Sequence, residues 1–174
     1  MRKHGPVYVV VTGPPASGKS TLSRDLAAAL GLPLLAKDIV KQGLIDVLGA
    51  PDVETSRDLG RAAVAALLAV AEENGGAVLD SVWVDRDRAV ERLSSLGKVV
   101  EVFCRADVDT MRSRYRERAP SRGPGHFDEA RTDAELWPDE ALRPLGGDWS
   151  VVEVDTSAPV DVPELVREVR EAAR

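Results

Sequence analysis

The sequence predicts an α/β fold in which a parallel β-sheet is covered by helices on both faces. Short apolar runs alternate with segments of helical periodicity, and no two runs are joined by a tight hairpin turn. The first apolar run, residues 7–11, is continuous, which is typical of a strand buried on both faces. A glycine-rich loop at residues 13–20 follows this run and leads into an amphipathic helix.

Five strands and six helices follow from the hydrophobic pattern. The predicted strands are residues 7–11, 33–37, 77–80, 98–104 and 150–154. Leucines 22, 26 and 30 share one face of the first helix, and Gly31 ends it. The other predicted helices are residues 38–48, 58–74, 86–96, 108–118 and 162–172, and an interrupted helix is expected over 127–142. Asp107 and Asp161 occupy N-cap positions of the last two complete helices.

Length and composition restrict the classes of protein that this chain can belong to. A chain of 174 residues with 44% apolar residues suits a single domain, and we expect residues 1–174 to form it. Lysine and arginine number 23 against 29 acidic residues, and the resulting net charge of −6 has the wrong sign for a typical duplex nucleic-acid binder. The single cysteine, Cys104, excludes an intrachain disulfide and a zinc site made of several cysteines.

Secretion and membrane signals are not evident in the sequence. The basic start at residues 1–4 is followed only by the short apolar run 7–11, whereas a signal peptide needs a longer one. The longest apolar run, residues 62–71, is well below the roughly 20 residues that span a bilayer. We therefore expect a cytoplasmic protein with no membrane partner, and the sequence leaves both a monomer and a homodimer open.

The most specific signal is a phosphate-binding loop that matches G-x-x-x-x-G-K-[ST] at every fixed position. The glycines let the loop curl so that backbone N–H groups converge on one anion, and the following helix N-terminus adds partial positive charge. Lys19 is expected to reach the β- and γ-phosphates of a nucleotide, and Ser20 to bind Mg²⁺. A glycine-rich turn that carries a lysine by chance is the alternative. The expected nucleotide-binding residues are Gly13, Pro14, Pro15, Ala16, Ser17, Gly18, Lys19, Ser20 and Thr21.

Two aspartates follow predicted strands at the sheet edge where open parallel sheets bind ligands. Asp80 ends the third strand, where a carboxylate beside Ser20 would help to hold Mg²⁺, and a solvated acid is the alternative. Asp38 follows the second strand, where a carboxylate can orient an acceptor hydroxyl and take its proton during attack on the γ-phosphate. The alternative for Asp38 is an N-cap of the next helix, and the two roles are compatible.

Arginines are concentrated in one helix and the loop that follows it, within an insertion at about residues 107–145. Arg112, Arg114, Arg116, Arg118 and Arg122 fall within eleven residues, and Arg114 and Arg118 share a helix face. Phosphoryl transfer needs cations on the moving group, and a helix followed by a loop can close over a nucleotide as a lid. An ordinary solvated helix face is the alternative. His126, at the end of the Pro/Gly loop, is expected to be solvated.

Together these residues resemble the P-loop kinases that act on small molecules or nucleic-acid ends. That group includes chloramphenicol phosphotransferase, zeta-toxin-like kinases and the kinase domain of polynucleotide kinase. The resemblance rests on residues 13–21, 37–38, 79–81 and 114–118. It implies a P-loop NTPase three-layer sandwich with a five-stranded parallel sheet in the order 2-3-1-4-5 and an arginine-rich helical lid. It also implies that Asp38 is the general base and that Arg118, with Arg114 beside it, contacts the phosphates.

The function expected from these residues is transfer of the γ-phosphate of ATP, with Mg²⁺, to a hydroxyl of a small molecule. Natural products such as antibiotics, sugars and nucleosides all remain possible acceptors. A 5′-hydroxyl polynucleotide kinase is one alternative, although Val82 replaces an asparagine common in that group and only Lys41 stands where an arginine is usual. The acidic net charge also disfavours a nucleic-acid partner other than a 5′ end. A nucleotide-binding regulatory module without turnover is the second alternative.

Overall fold

A five-stranded parallel sheet in the order β2-β3-β1-β4-β5 forms the centre of the molecule. The computed structural model describes residues 7–121, 124–127 and 130–174. The strands are β1 (Val7–Thr12), β2 (Leu34–Ala36), β3 (Ala77–Asp80), β4 (Lys98–Arg105) and β5 (Ser150–Asp155). The helices are α1 (Lys19–Leu30), α2 (Lys37–Leu48), α3 (Val53–Asn74), α4 (Arg86–Leu96), α5 (Val108–Arg118), α6 (Asp133–Leu136) and α7 (Val162–Ala172). The predicted α/β class and the strand order are therefore confirmed.

Helices cover both faces of the sheet because the central strand is apolar on both sides. Tyr8 and Val10 of β1 pack in one core with side chains of α3 and α4, such as Leu67 and Leu93. Val9 and Val11 pack in a second core with α1 and α7. Burial on both sides explains why residues 7–11 form a continuous apolar run rather than an alternating one.

The strand register brings the ends of three neighbouring strands together. Val11 of β1 pairs with Asp80 of β3, and Ala36 of β2 pairs with Asp80 from the other side. The glycine-rich loop leaves the end of β1, and α2 begins directly after β2. The candidate site residues are therefore gathered at one edge of the sheet by the topology alone.

Two predicted helices have different bounds in the structure. Helix α3 begins at Val53 rather than at residue 58, because the Asp52 side chain accepts a hydrogen bond from the Thr55 N–H and caps it there. The interrupted helix expected over 127–142 is reduced to α6, since Phe127 has a left-handed backbone with φ +53° and Trp137 precedes a proline. The 3₁₀ turns Ala119–Ser121 and Pro124–His126 lie in the described part of the chain between α5 and α6.

A buried carboxylate joins the end of the 107–145 segment to the strand that leads into the glycine-rich loop. Glu101 of β4 is 0% exposed and accepts three hydrogen bonds. They come from the Thr12 hydroxyl at 2.6 Å, the Leu145 N–H at 2.8 Å and the Trp149 indole N–H at 3.0 Å. The carboxylate thus links β1, β4 and the chain before β5.

Within the described ranges, no helix is both long enough and apolar enough to cross a bilayer.

Candidate functional site

The glycine-rich loop curls as the motif predicts. Gly13 has φ +131° and Gly18 has φ +85°, values that residues with a side chain rarely adopt. A Cβ at Gly13 would lie 2.3 Å from the Cys104 carbonyl oxygen, so the loop approaches β4 where only glycine fits. The Ser17 N–H donates to the Pro14 carbonyl at 3.2 Å and closes the turn.

Two side chains from distant parts of the chain hold carbonyl groups of this loop. The Trp137 indole N–H donates to the Pro15 carbonyl at 3.1 Å. The Thr156 hydroxyl, directly after β5, donates to the Ser17 carbonyl at 2.6 Å. The Ser17 hydroxyl is itself buried and lacks a hydrogen-bond partner among the described residues. An oxygen-rich ligand in the loop would satisfy this hydroxyl.

Lys19 and Asp80 form the charged centre of the site, and both are 6% exposed. Burial lowers the pKa of Lys19, and the Asp80 carboxylate partly offsets this effect. Burial raises the pKa of Asp80, while the Lys19 ammonium and a hydrogen bond from Ser20 oppose the rise. The Lys19 ammonium donates to the Pro14 carbonyl at 2.7 Å. The Lys19 side chain therefore points back over the loop in which we expect the phosphates to bind.

The donor set of Ser20 and Asp80 fits Mg²⁺. The Ser20 hydroxyl is near enough to the Asp80 carboxylate to lower its pKa, so the two side chains offer a hydroxyl oxygen and a carboxylate oxygen at one place. Mg²⁺ prefers such oxygen ligands and completes its octahedral shell with waters and phosphate oxygens. The described residues hold no group of three or more His, Cys, Asp or Glu side chains suited to a metal.

Asp38 lies in the first turn of α2 and is exposed. The N-cap of α2 is Ala36, and no side chain caps it, so the interpretation of Asp38 as an N-cap is wrong. The Lys37 ammonium lies 3.0 Å from the Asp38 carboxylate. Asp38 is also close enough to Asp80 to affect it electrostatically. Burial of Asp80 is the main cause of its raised pKa, and the negative charge of Asp38 adds to the rise.

The arginines divide into two groups. The Arg114 guanidinium donates to the Thr156 carbonyl at 2.9 Å, beside the glycine-rich loop. The Arg118 guanidinium lies 4.9 Å from the centre of the Tyr115 ring. Burial of Lys19 is the main cause of its lowered pKa, and the positive charge of Arg118 lowers that pKa further. Arg112 instead pairs with Asp109 and Asp133.

Arg116 is exposed, so the solvated-face interpretation describes Arg116, whereas Arg112 is half-buried in its two ion pairs. Arg122 lies outside the described residues. Among the described arginines of the cluster, Arg114 contacts Thr156, whose hydroxyl holds a loop carbonyl, and Arg118 acts electrostatically on Lys19.

Sequence reasoning missed Trp137 and the burial of His126 at this edge, whereas it pointed to Thr21 and to the segment that contains Thr156. Trp137 contacts Pro15 across 122 residues of sequence, and no local pattern signals such a contact. Thr156 lies in a segment that follows the last strand, where nucleotide sites often have a border. His126 is 5% exposed rather than solvated, and its Nε2 lies 2.8 Å from the Gln42 side-chain oxygen. Thr21 is exposed in the first turn of α1.

Comparison with known proteins assigns this chain to a family. The chain belongs to the AAA domain family, whose profile matches residues 9–136. Uncharacterised proteins of Mycobacterium tuberculosis and Mycobacterium bovis are 30% identical to it over 166 residues. The match covers 86% of this chain but only 32% of theirs, so the chain spans about a third of the length of the curated relatives it matches.

Solved structures of kinases share the fold. A candidate kinase from Chloroflexus aurantiacus is 32% identical, with a TM-score of 0.84 over 97% of this chain and 98% of its own. A gluconokinase from Sinorhizobium meliloti has a TM-score of 0.62 at 23% identity, covering 98% and 93%. The APS kinase of Mycobacterium tuberculosis, solved with AMPPNP and APS, has a TM-score of 0.58 at 22% identity, covering 97% of both chains. The chain therefore has the fold of the P-loop kinase group.

Proposed function

We propose that this protein is an ATP-dependent, Mg²⁺-requiring phosphotransferase that moves the γ-phosphate to a hydroxyl group of a small molecule. The observation that carries the proposal is the position of Asp38. It is an exposed carboxylate two residues after Ala36, which pairs with Asp80, so it lies at the sheet edge where the glycine-rich loop leaves β1, and its charge acts on Lys19 and Asp80. A non-catalytic nucleotide module needs the loop but has no use for a second, solvent-facing acid there.

Each side chain of the site has a task in this reaction. The loop N–H groups and the Lys19 ammonium hold the triphosphate, and Ser20 and Asp80 would hold Mg²⁺. The bound metal would supply charge neutralisation between the β- and γ-phosphates. Asp38 accepts the proton of the acceptor hydroxyl as its oxygen attacks the γ-phosphorus. Arg118 offsets the negative charge that is spread over the equatorial oxygens of the transferring group.

The sheet edge also separates the two substrates. The triphosphate lies along the loop after β1, whereas the acceptor approaches over β2 and β3, where Asp38 faces solvent. The 107–145 segment crosses this edge and carries Arg114 and Arg118, and we propose that it acts as a lid that excludes water from the transfer. The acidic net charge of −6 favours a small acceptor over an oligonucleotide.

The test begins with a screen of acceptors for ATP-to-ADP conversion, using sugars, nucleosides, natural-product alcohols and a 5′-hydroxyl oligonucleotide. The variant Asp38→Asn is then compared with the parent on the acceptor that responds. We expect kcat to fall by roughly 10²- to 10⁴-fold, the usual contribution of a general base, while the Kd for an ATP analogue stays within about twofold.

The matched control is Asp46→Asn, an exposed acid two turns further along α2 that accepts a hydrogen bond from Gln42. We expect it to keep the parent kcat. Equal turnover by Asp38→Asn and the parent would remove Asp38 from the chemistry. ATP binding that no acceptor stimulates would favour the regulatory-module alternative, and a salt-sensitive response to the oligonucleotide alone would favour the polynucleotide kinase.

A further inference from the structure

The peptide group between Pro15 and Ala16 is oriented by a residue far from it in sequence. Every described peptide bond is trans, so a carbonyl and the N–H that follows it point in opposite directions. The Trp137 indole N–H donates to the Pro15 carbonyl at 3.1 Å. The Ala16 N–H therefore points away from Trp137, where it can donate to an anion bound in the loop.

Thr156 acts in the same way two peptide groups further along the loop. Its hydroxyl donates to the Ser17 carbonyl at 2.6 Å, so the Gly18 N–H points away from Thr156. Two alternate N–H groups of the loop are thus aimed by external donors. Thr156 is itself fixed, since its hydroxyl also contacts the Arg105 carbonyl at 2.9 Å and its own carbonyl accepts from Arg114.

The conformation of Ala16 needs support from its surroundings. Its φ of +63° is left-handed, a conformation that is strained for a residue with a Cβ. Ala16 is 7% exposed and packs in a small apolar cluster with four side chains of the 107–145 segment. The cluster consists of Ala16, Met111, Tyr115, Leu136 and Trp137. The strained residue is held by the segment that crosses the site, not by the loop alone.

The same indole is connected to the arginine expected at the γ-phosphate. The rings of Trp137 and Tyr115 meet edge to face, with centroids 5.9 Å apart and planes at 79°. The Arg118 guanidinium also lies over the Tyr115 ring, 4.9 Å from its centre. A chain of contacts therefore runs from the Pro15 carbonyl through Trp137 and Tyr115 to Arg118.

Trp137 follows a short helix that is tied to its neighbours. It follows α6, whose start is fixed by a reciprocal capping box between Thr132 and Glu135. Glu135 also pairs with Arg57 of α3 at 3.2 Å, and Asp133 pairs with Arg112 of α5 at 2.8 Å. The short helix is thereby attached to two longer ones.

We propose that Trp137 is a positioning residue for the nucleotide: its indole N–H aims the Ala16 N–H at the phosphates, and its ring sets the distance between the loop and Arg118. This inference rests on the proposed function and adds to it that the nucleotide cradle is completed by the 107–145 segment. Trp137 itself does not touch the reacting atoms.

The test uses Trp137→Phe, which keeps an aromatic ring in the cluster and removes the indole N–H. We expect the Kd for AMPPNP with Mg²⁺, measured by calorimetry, to rise roughly fivefold, the effect of one neutral hydrogen bond. With saturating ATP, kcat stays within about twofold, because the ring contact with Tyr115 remains. Thr156→Val, which frees the Ser17 carbonyl, is expected to raise the Kd by a similar factor.

The matched control is Trp149→Phe, which removes an indole N–H from Glu101 instead of from the loop. It lowers the thermal unfolding temperature without changing the Kd for AMPPNP. This separates aiming of the loop from general loss of stability. A second variant tests the ring: Tyr115→Leu lowers kcat by roughly tenfold, since Arg118 loses its aromatic support.

A Trp137→Phe variant that binds AMPPNP as tightly as the parent overturns the inference, as does a Trp149→Phe variant whose Kd rises equally. Either result would leave the proposed function standing. A parent protein that binds no AMPPNP would instead overturn the proposed function, so the two failures are distinguishable.

Discussion

At the scale of single residues, the site combines two buried charges that depend on each other. Burial moves the pKa of Lys19 down and the pKa of Asp80 up, and each charge partly offsets the shift of the other. Lys19 already points at the Pro14 carbonyl, so its ammonium has to exchange one oxygen partner for another when phosphates enter. Such an exchange costs less than moving a lysine in from solvent, because its desolvation is already complete.

The buried carboxylate of Glu101 gives a stability prediction. It accepts three hydrogen bonds from neutral donors, and a carboxylate suits this arrangement because it has only acceptors. In Glu101→Gln, the amide NH₂ would face at least one of these donors and leave it unsatisfied. We expect a loss of about 2 kcal/mol in the free energy of unfolding, measured with urea.

The control for this variant is Glu153→Gln, an exposed acid on the neighbouring strand β5. We expect it to change the free energy of unfolding by less than about 0.5 kcal/mol. Equal stability of the Glu101 and Glu153 variants would contradict the view that the buried carboxylate fastens the segment before β5 to the start of the loop.

At the scale of elements, α5 depends on its N-cap. The Asp107 carboxylate accepts from the side chain of Thr110 at 2.6 Å and from its N–H at 2.8 Å, and these bonds lower the pKa of Asp107. Because the folded pKa lies below the usual 3.8, the stabilisation is present at neutral pH and is lost as the pH falls through the folded value. We therefore expect Asp107→Ala to unfold at a lower temperature at pH 7, with the difference from the parent shrinking in strong acid.

Thermal unfolding of the two proteins across the acid range checks this expectation. Asp109→Ala is the comparison, since Asp109 is in the first turn of α5 and faces Arg112 rather than the helix N–H groups. A difference between Asp107→Ala and the parent that grows toward low pH would contradict the sign of the effect.

Elements with strong periodicity were predictable from the sequence, and those set by distant contacts were not. The strands and α1, α4 and α7 follow from apolar runs and stripes that the two cores later bury. The start of α3 depended on recognising Asp52 as a cap within a polar stretch. The region around α6 has little apolar periodicity, and its shape depends on the contacts of Leu136 and Trp137 with Ala16.

The residues of the candidate site also divide into those that the sequence predicts and those that distant contacts bring there. Lys19, Ser20, Asp38 and Asp80 could be named because the loop motif and the ends of parallel strands constrain where they lie. Trp137 and the burial of His126 could not, because both result from how the 107–145 segment folds back over the sheet edge. The charged residues of the site can be found from local sequence, whereas the residues that pack around them depend on tertiary structure.

At the scale of the whole molecule, the sheet joins two groups of helices to which the proposed function gives different tasks. The core between the sheet and α1 and α7 supports the glycine-rich loop, whereas α2 carries Asp38 and packs beside α3, on the side proposed for the acceptor. The 107–145 segment contacts both halves, through Trp137 on the loop and through the Ser56 hydroxyl, which donates to the Gly125 carbonyl at 2.7 Å. A nucleotide that fixes the loop should therefore stabilise the entire fold and not the loop alone.

Binding of ATP with Mg²⁺ is accordingly expected to raise the unfolding temperature. At a nucleotide concentration of 100 times the Kd, the stabilisation is about 2.7 kcal/mol. For a chain of this size that corresponds to a shift of roughly 5–10 °C. Removal of the metal with EDTA should abolish a large part of the shift, because Ser20 and Asp80 then face the triphosphate without a cation between them.

Asp80→Asn isolates the contribution of the metal. In this variant the shift with ATP should be small and insensitive to EDTA, since the carboxylate that would hold Mg²⁺ is gone. Asp87→Asn, an exposed acid in the first turn of α4, should behave as the parent does. If the parent shift is unchanged by EDTA, or if Asp80→Asn keeps the EDTA sensitivity of the parent, then Asp80 does not hold the metal and its burial beside Lys19 serves only to position the lysine.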